Sequence, residues 1–277
     1  MTQFTVTTRS ACSSAALVCA LTVCSCARIP SPLTPTVRGS VGLPHFGMLS
    51  DAQELPAKGP GFAVLDPNGH HFGTPSMLSI IKYAAARVAR ERPGPPLLVG
   101  DISAKNGGEI PRHRSHRSGR DVDLLLFCTD LSGQPIRSPG WVHFGPDGLG
   151  RVYEGKKSGS FVALDVARQW LLVKSLVQAP DVHSLWFFLS RPVEALLTQY
   201  ALANGEDPLT VWEAESMMLQ PANALPHDDH IHLRIACSQQ ETVFGCENGG
   251  PTWPWLPPPL ALDWPPNDDH IAELFEP

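Results

Sequence analysis

Two short clusters that combine histidine with carboxylate residues constrain this chain more than any other feature. The first has the sequence HRSHRSGRDVDL and the second HDDHIHLR, and together they hold five of the 11 histidines. An isolated histidine is most often a surface residue or a satisfied core residue, but two such clusters with interleaved carboxylates do not fit a chance distribution. We therefore expect a fold that brings the two clusters together around one site.

The spacing within each cluster is typical of a β-strand. His230 and His232 are two residues apart at the start of a predicted strand, so both rings leave the same face. Asp121 and Asp123 likewise share one face of a strand that continues into the apolar run LLLF. A carboxylate in so apolar a strand requires a cation or several donors, because an unpaired buried charge is far too costly. A metal ion supplies that cation.

The types of ligand atom indicate zinc. Imidazole nitrogen and carboxylate oxygen without thiolate form the ligand set of catalytic zinc sites, which use three protein ligands and leave a fourth position to water. The sequence contains no CxxC pair, so a thiolate zinc site is not indicated. Gly119, inside the first cluster, fits a turn that leads into the strand.

Length and composition indicate a loop-rich folded protein. The 277 residues allow one large domain or two small ones. Charged residues make up 17%, below the roughly 25% of ordinary domains, while 28 prolines favour loops and 43% hydrophobic residues is too high for general disorder. The net charge of -6 and the lack of a long basic run argue against nucleic acid as a partner.

The N-terminal segment has the pattern of an export signal. Residues Ala11–Val23 are apolar or small, follow a weakly cationic start, and form a run too short to span a bilayer comfortably. The segment Val23–Cys26 resembles the lipobox of bacterial lipoproteins, with Cys26 as the acylated residue and lipid anchor. Plain cleavage near Ala27 is the alternative, and it changes the anchor without changing the compartment.

The chain is expected to divide into three parts. Residues 1–25 are the signal peptide, and residues 26–42 are a Pro/Ser-rich tether. Residues 43–277 form a single domain, whose C-terminal part is a Pro/Trp-rich strap that packs Trp253, Trp255 and Trp264 on the rest.

Three cysteines remain in the expected mature domain. In an oxidising compartment Cys237 and Cys246 can close a short loop. Cys128 is then left as a buried free thiol within the apolar run LLLFC.

The apolar periodicity predicts an α+β fold. Thr74–Pro75 is typical of an N-cap followed by proline in the first helical turn, and apolar residues then recur at helical spacing until Pro93. Further helical patterns cover Leu164–Val177 and Val193–Ala203. Four short apolar runs are predicted as strands: Leu97–Val99, Val122–Phe127, Leu185–Leu189 and Ile231–Ile235. Because helices and strands alternate irregularly, α+β is favoured over a regular βαβ repeat.

The two clusters also carry a family resemblance. The pattern HxxHxxGxDxDL, here His113 to Leu124, followed about a hundred residues later by HDDHIH, resembles the penicillin-insensitive murein endopeptidase family. That family belongs to the wider group of lysostaphin-type, D-alanyl-D-alanine and hedgehog-like metallopeptidase folds. Together with upstream segments such as Gly100–Ser103, the resemblance spans roughly Ser40 to Cys237. It implies a small, mainly antiparallel sheet that carries the zinc site, with flanking helices and long loops.

The resemblance assigns a role to each histidine. It implies that His116, Asp123 and His232 bind zinc, and that His230 lies beside the metal without ligating it. The motif HExxH is absent, so His230 is the best candidate to accept the proton of the attacking water or to stabilise the tetrahedral oxyanion, and His227 is a second candidate. His113 either hydrogen-bonds in the pocket or holds a second metal.

Several charged residues near the motifs are candidates for supporting roles. Asp121, Asp228 and Asp229 could orient the ligand imidazoles. Arg120 and Arg234 could hold a substrate carboxylate, or they could be solvated surface residues. Some family members bind a further metal through an Asp and a His between the two motifs, for which His143 and Asp147 are the only candidates here. We expect one zinc and leave a second open.

These observations lead to one functional hypothesis and two rivals. The chain is expected to be an exported, periplasmic zinc peptidase, anchored by lipid at Cys26, that cleaves D-alanyl-diaminopimelyl cross-links between the stem peptides of peptidoglycan. The substrate comes from the resemblance alone. The first rival is a D-Ala-D-Ala dipeptidase or carboxypeptidase of the same fold group. The second is a non-catalytic, zinc-stabilised cell-wall-binding domain.

Overall fold

The computed structural model describes residues 38–154, 157–249 and 253–258. The strands in this part of the chain are β1 Gly39–Leu43, β2 Phe46–Ser50, β3 Gln53–Glu54, β4 Lys58–Gly59, β5 Phe62–Val64, β6 Phe72–Gly73, β7 Leu97–Val99, β8 Asp121–Leu125, β9 Cys128–Thr129, β10 Pro135–Ile136, β11 Leu149–Glu154, β12 Lys157–Leu164, β13 Ser184–Phe188, β14 Met218–Leu219 and β15 His230–Ile235. The helices are α1 Pro75–Glu91, α2 Val166–Val177, α3 Arg191–Ala203, α4 Pro208–Met217 and α5 Gln239–Val243.

A seven-stranded sheet forms the centre of the fold. Its strand order is β14-β13-β15-β8-β7-β5-β4. The pairs β13/β14 and β5/β7 are parallel, and the other four pairs are antiparallel. A four-stranded sheet with the order β10-β9-β12-β11 and two two-stranded sheets accompany it. The prediction of a mainly antiparallel α+β fold is therefore confirmed.

Helix α1 forms where the sequence predicts it. The Thr74 hydroxyl accepts a hydrogen bond from the Met77 backbone N–H at 3.2 Å, and Pro75 occupies the first helical position, where it has no N–H to leave unpaired. The helix ends at Glu91, before Pro93. Its apolar stripe, which includes Ile81, is completely buried in the core.

The two middle strands of the central sheet separate core residues from polar ones. On β8 and β15, Val122, Leu124, Ile231 and Leu233 are completely buried in the hydrophobic core. Residues at alternate positions face the other way, as the period of two requires. This opposite face carries Asp121 and Asp123 on β8, with His230 and His232 beside them on β15.

The predicted helices and strands agree with the structure, which also contains elements that were not predicted. The four predicted strands correspond to β7, β8, β13 and β15, and the two further predicted helices correspond to α2 and α3. The sequence analysis missed the β11–β12 hairpin and helix α4. Asp207 caps α4 and Pro208 is at its start, which is the same signal that revealed α1. Its apolar residues do not form a clear stripe, so periodicity gave no sign of it.

The structure tests the predictions for the mature cysteines and for part of the two chain termini. Cys237 and Cys246 form a disulfide and Cys128 is a buried free thiol, as predicted. Trp253 and Trp255 pack against the core, whereas Trp264, the signal peptide and Cys26 lie outside the described residues. Strand β1 begins at Gly39, so regular structure starts inside the stretch that was predicted as tether. No helix among the described residues has the length and apolarity needed to cross a bilayer.

Candidate metal centre

Three side chains from the two sequence clusters converge on one point. The Nε2 atom of His116 lies 3.2 Å from Nδ1 of His232 and 3.3 Å from Oδ1 of Asp123. The Nδ1 atom of His232 lies 3.1 Å from the same Asp123 oxygen. Tetrahedral zinc with ligand distances of about 2.0–2.1 Å places its ligands about 3.3 Å from one another. The three residues, called here the ligand triad, therefore match the spacing of a zinc site.

The hydrogen-bond partners of the ligand triad are compatible with a bound cation. The Nδ1 atom of His116 is 2.8 Å from the carbonyl oxygen of Ile102, which can only accept, so the proton is on Nδ1 and Nε2 is bare. The Nε2 atom of His232 faces Asp121 at 3.5 Å, which favours its proton there and leaves Nδ1 bare. The Asp123 Oδ1 atom is buried, and no described N–H or O–H donates to it. With these tautomers three acceptors face one another, and a metal ion or a shared proton removes their repulsion.

The backbone fixes the ligand triad in this arrangement. Strands β8 and β15 are antiparallel, and their register places His232 directly opposite Asp123. His116 precedes β8 and has a φ of 65°, a left-handed conformation that is strained for a residue with a side chain. Its backbone N–H donates to Asp121 at 3.1 Å, which holds the turn. Gly119 has a φ of 71°, as its predicted turn requires.

Asp121 links the ligand triad to an arginine. Its two oxygens accept hydrogen bonds from Nε and Nη2 of Arg234 at 2.7 and 3.1 Å. Burial acts to raise the pKa of Asp121, but Arg234 and then His232 outweigh burial and hold that pKa well below its usual range. Asp121 is thus a carboxylate placed beside His232, where it could orient that imidazole.

His230 lies beside the ligand triad and pairs with a second carboxylate. Its Nε2 atom is 3.4 Å from Asp123 Oδ1, and its Nδ1 atom is 2.6 Å from Asp229 Oδ1. Burial acts to lower the pKa of His230, but Asp123 and Asp229 outweigh it and raise the pKa to about 10. A cation bound to Asp123 would cancel the raising effect of that carboxylate, so that burial lowers the pKa of His230 and Asp229 alone opposes it. His230 can then be neutral and accept a proton, with Asp229 stabilising the imidazolium that forms.

His227 has a different environment from His230. Its ring centroid lies 5.1 Å from that of His230, and its Nδ1 atom is buried with no hydrogen-bond partner in the described part of the chain. Burial is the main reason that the pKa of His227 is lowered, to about 4. His227 is therefore neutral at neutral pH, which suits hydrogen bonding better than proton transfer.

His113 is held by a carboxylate that the sequence analysis did not assign. Asp101 Oδ2 lies 3.1 Å from Nε2 of His113, and the Nδ1 atom of His113 is 3.7 Å from Asp123 Oδ2. The hydrogen bond with His113 lowers the pKa of Asp101 well below its usual range. His113, His116 and Asp123 bring ligand atoms close together, so His113 borders the ligand triad. The only sequence signal for Asp101 was its place in the segment Gly100–Ser103.

The structure contradicts the proposed role of Arg120 in holding a substrate carboxylate. Arg120 is completely buried, and its guanidinium donates to the Ser40 hydroxyl at 2.8 Å and to the carbonyl oxygens of Ile235 and Glu247 at 3.0 and 2.7 Å. Arg234 donates through Nε and Nη2 to the two carboxylate oxygens of Asp121, and its side chain is mostly buried. Neither arginine is the solvated surface residue that was the alternative.

Arg120 is therefore expected to contribute to stability. In the Arg120→Met variant the carbonyl oxygens of Ile235 and Glu247 lose their donors, and we expect the free energy of unfolding to fall by about 3 kcal/mol. Denaturant unfolding measures the change, and the exposed Arg114→Met is the control, with an expected change within about 0.5 kcal/mol. Equal values for the two variants would contradict the structural role.

The two residues considered for a second metal are not brought together. The carboxylate of Asp147 accepts from the Leu149 backbone N–H at 3.0 Å within its own turn. His143 instead pairs with Asp228, with 2.6 Å between Nδ1 and Oδ1, and lies near Asp229. Asp228 therefore does not orient a ligand imidazole, in contrast to the prediction.

Two surface cavities lie apart from the metal centre. One, of about 390 Å³, includes Arg92 and Lys174 in its lining, and the other, of about 560 Å³, includes Phe62 and Tyr83. Neither lining contains a histidine. The convergent polar atoms therefore identify the candidate site better than cavity size does.

A centre of two histidines and one aspartate with a bordering histidine is the type found in zinc hydrolases. Residues 40–138 match the profile of a family described as penicillin-insensitive murein endopeptidase. Proteins of that name were also found among curated sequences. The one from Klebsiella pneumoniae (strain ATCC 700721 / MGH 78578) is 32% identical over 242 residues, which cover 82% of this chain and 80% of the relative. The one from Haemophilus influenzae is 26% identical over 247 residues, covering 83% and 77%.

The profile match includes the first cluster, and the two longer alignments extend over most of the chain. The relative from Pectobacterium atrosepticum is 35% identical, but over 89 residues that cover 31% of each chain. The chain thus belongs to the penicillin-insensitive murein endopeptidase family, and it is a metallopeptidase.

Proposed function

We propose that this protein is a zinc-dependent murein endopeptidase that hydrolyses the D-alanyl-diaminopimelyl cross-link of peptidoglycan. The observation that carries the proposal is the convergence of three ligand atoms, from His116, Asp123 and His232, beside the His230–Asp229 pair. The names of the family and of the relatives support murein as the substrate.

The ligand triad fits zinc better than the other common divalent ions. Calcium and magnesium prefer sites made largely of oxygen, whereas two imidazoles and one carboxylate suit zinc. Zinc held by His116, Asp123 and His232 would supply a Lewis acid, able to polarise the scissile carbonyl and to make a water molecule more acidic. His116 and His232 are oriented for this purpose by Ile102 and Asp121.

The three histidines outside the ligand triad have different roles in the proposed reaction. His230 accepts the proton of the attacking water at Nε2, while Asp229 stabilises the resulting imidazolium through Nδ1. The same proton then goes from His230 to the amine that leaves when the peptide bond breaks. His227 stays neutral and can hydrogen-bond to the oxyanion. His113, held by Asp101, lines the site next to Asp123.

Two alternative functions are disfavoured by particular observations. A non-catalytic zinc domain has no need for His230 and Asp229 at hydrogen-bonding distance from one another beside the metal. A dipeptidase needs a closed pocket that caps the substrate's amino terminus. The relatives named above are called endopeptidases, which argues against that activity.

Product analysis of purified, cross-linked dimeric muropeptides tests the proposed function. Zinc-loaded protein is expected to convert dimers to monomers, and treatment with a chelator is expected to stop the reaction. Intact dimers together with consumption of free D-Ala-D-Ala would identify the dipeptidase instead. Binding to murein sacculi without any released product would identify the non-catalytic binding domain.

We also propose that the protein is exported to the periplasm and anchored by lipid at Cys26. The basis is the leader pattern of residues 1–25 and the Pro/Ser-rich stretch between Cys26 and β1, which would act as a spacer. In cells the wild-type protein is expected in the membrane fraction, and Cys26→Ser is expected to move it to the soluble fraction. A soluble wild-type protein would leave plain cleavage near Ala27 as the explanation.

A further inference from the structure

One loop of the protein is fastened to the segment that carries His230. It comprises residues 137–148, between β10 and β11. Val142 and Phe144 are buried and anchor the loop in the core. The Phe144 backbone N–H donates to the carbonyl oxygen of Asp228 at 2.9 Å, and the His143 ring pairs with the Asp228 carboxylate. The loop is therefore held in place two residues before His230.

The anchoring of this loop places Trp141 at the rim of the metal centre. Its ring centroid lies 5.2 Å from that of His230, and the two rings are perpendicular. The Cη2 end of the indole lies near Gly100 and Asp123. A Cβ atom built at Gly100 would be 3.2 Å from Cη2 of Trp141 and 3.2 Å from Cβ of Asp123. The indole therefore spans the short distance between His230 and the strand that carries Asp123.

Trp141 remains 47% exposed although its neighbours in the loop are buried. The indole packs on His230 but is only about half buried, so apolar surface stays open to solvent beside the metal centre. Clefts that bind ligands commonly combine such an aromatic surface with a few polar groups that fix orientation.

We propose that Trp141 is a substrate-binding residue that holds the aliphatic groups flanking the scissile bond. This inference rests on the proposed function, in which the alanyl methyl and the methylene chain of the diamino acid are the apolar parts near the bond. Because His230 must reach the attacking water, an indole in contact with His230 lies within about one residue of the scissile bond. The exposed indole surface and those aliphatic groups are then buried together.

The alternative role for Trp141 is to position His230 without touching the substrate, and kinetics separate the two roles. Loss of contacts made equally in the bound state and the transition state raises KM and leaves kcat unchanged. Loss of a positioning contact lowers kcat. For Trp141→Ala we expect KM for dimeric muropeptide to rise about tenfold, with kcat within about threefold of wild type. Trp141→Phe, which keeps an aromatic ring, is expected to retain most of the affinity.

The experiment uses the full mature protein loaded with zinc, and Trp212→Ala as the matched control. Trp212 is 50% exposed on α4, where it packs on Trp255. Zinc content and thermal unfolding verify that each variant is folded and loaded. Unchanged KM in Trp141→Ala, a loss confined to kcat, or an equal rise of KM in Trp212→Ala would overturn the inference.

Calorimetric titration with the dimeric muropeptide provides a readout that does not depend on turnover. It is carried out with the zinc-loaded protein and a dimeric muropeptide analogue whose cross-link cannot be hydrolysed, so that cleavage does not interfere. We expect the Kd of Trp141→Ala to be about tenfold higher than that of wild type. If wild type fails to cleave dimers but binds them, the proposed function fails while this comparison still decides the role of Trp141. Equal Kd values, or no binding by wild type, would overturn the inference.

Discussion

Replacing Asp123 with asparagine is expected to abolish stoichiometric zinc binding. Asp123 supplies the only carboxylate of the ligand triad, and its Oδ1 atom is the one that both His116 and His232 approach. Asparagine has nearly the same shape but lacks the charge that a divalent cation requires. Residues that merely orient ligands commonly cost 10–100-fold in metal affinity, so loss of a ligand is expected to cost more than about a hundredfold.

The free energy of unfolding of wild type and of Asp123→Asn provides an independent measure of zinc binding. Zinc that binds only the folded state raises the free energy of unfolding of wild type by about 4 kcal/mol at a thousand times Kd. We expect no such rise for Asp123→Asn at the same zinc concentration. The control is Asp228→Asn, which removes a nearby carboxylate outside the ligand triad and should respond to zinc like wild type. A full response of Asp123→Asn to zinc would rule out Asp123 as a ligand.

Replacing His230 with alanine is expected to remove activity while zinc stays bound. His230 accepts and returns the proton in the proposed mechanism, and acid-base catalysis contributes about 10²–10⁴-fold. We therefore expect kcat on dimeric muropeptides to fall by at least about a hundredfold, with about one zinc per chain. Metal analysis and kinetics on the same sample measure both quantities.

Two further variants sharpen the test of His230. Asp229→Asn removes the charge at the Nδ1 atom of His230 and is expected to cause a smaller loss of kcat, again with zinc retained. His143→Gln changes an exposed histidine of the adjacent loop and serves as the control for a general histidine effect. Loss of zinc from His230→Ala would make His230 a ligand, since its Nε2 atom lies only 3.4 Å from Asp123.

The sequence predicted the part of the site that lies on regular strands. The period of two along β8 and β15 places Asp121 and Asp123 on one face and His230 with His232 on the matching face. Antiparallel pairing then places His232 opposite Asp123. This arrangement depends on local spacing and on burial of the alternate residues, and both can be recognised in a sequence.

The parts of the site that come from loops could not be predicted in the same way. Trp141 reaches His230 because Val142 and Phe144 are anchored in the core, and no periodic pattern reveals such an anchor. Asp101 reaches His113 from the segment after β7, and the sequence gave no distance between them. Spacing alone does not report contacts between irregular segments.

Arg120 shows why charge is an incomplete guide to exposure. It lies in the motif between Gly119 and Asp121, and a cation there suggested a partner for a substrate carboxylate. Its acceptors are instead the Ser40 hydroxyl and two backbone carbonyl groups from distant segments. Backbone acceptors have no side-chain signature, so the burial of Arg120 could be learned only from the fold.

The claim that one zinc ion is bound by the ligand triad is tested most directly by crystallography at the zinc absorption edge. Crystals of the zinc-loaded protein are expected to show one anomalous peak about 2.0–2.2 Å from Nε2 of His116, Oδ1 of Asp123 and Nδ1 of His232. A peak bound by other residues, or a structure in which any two of these side chains point to different pockets, would contradict the account.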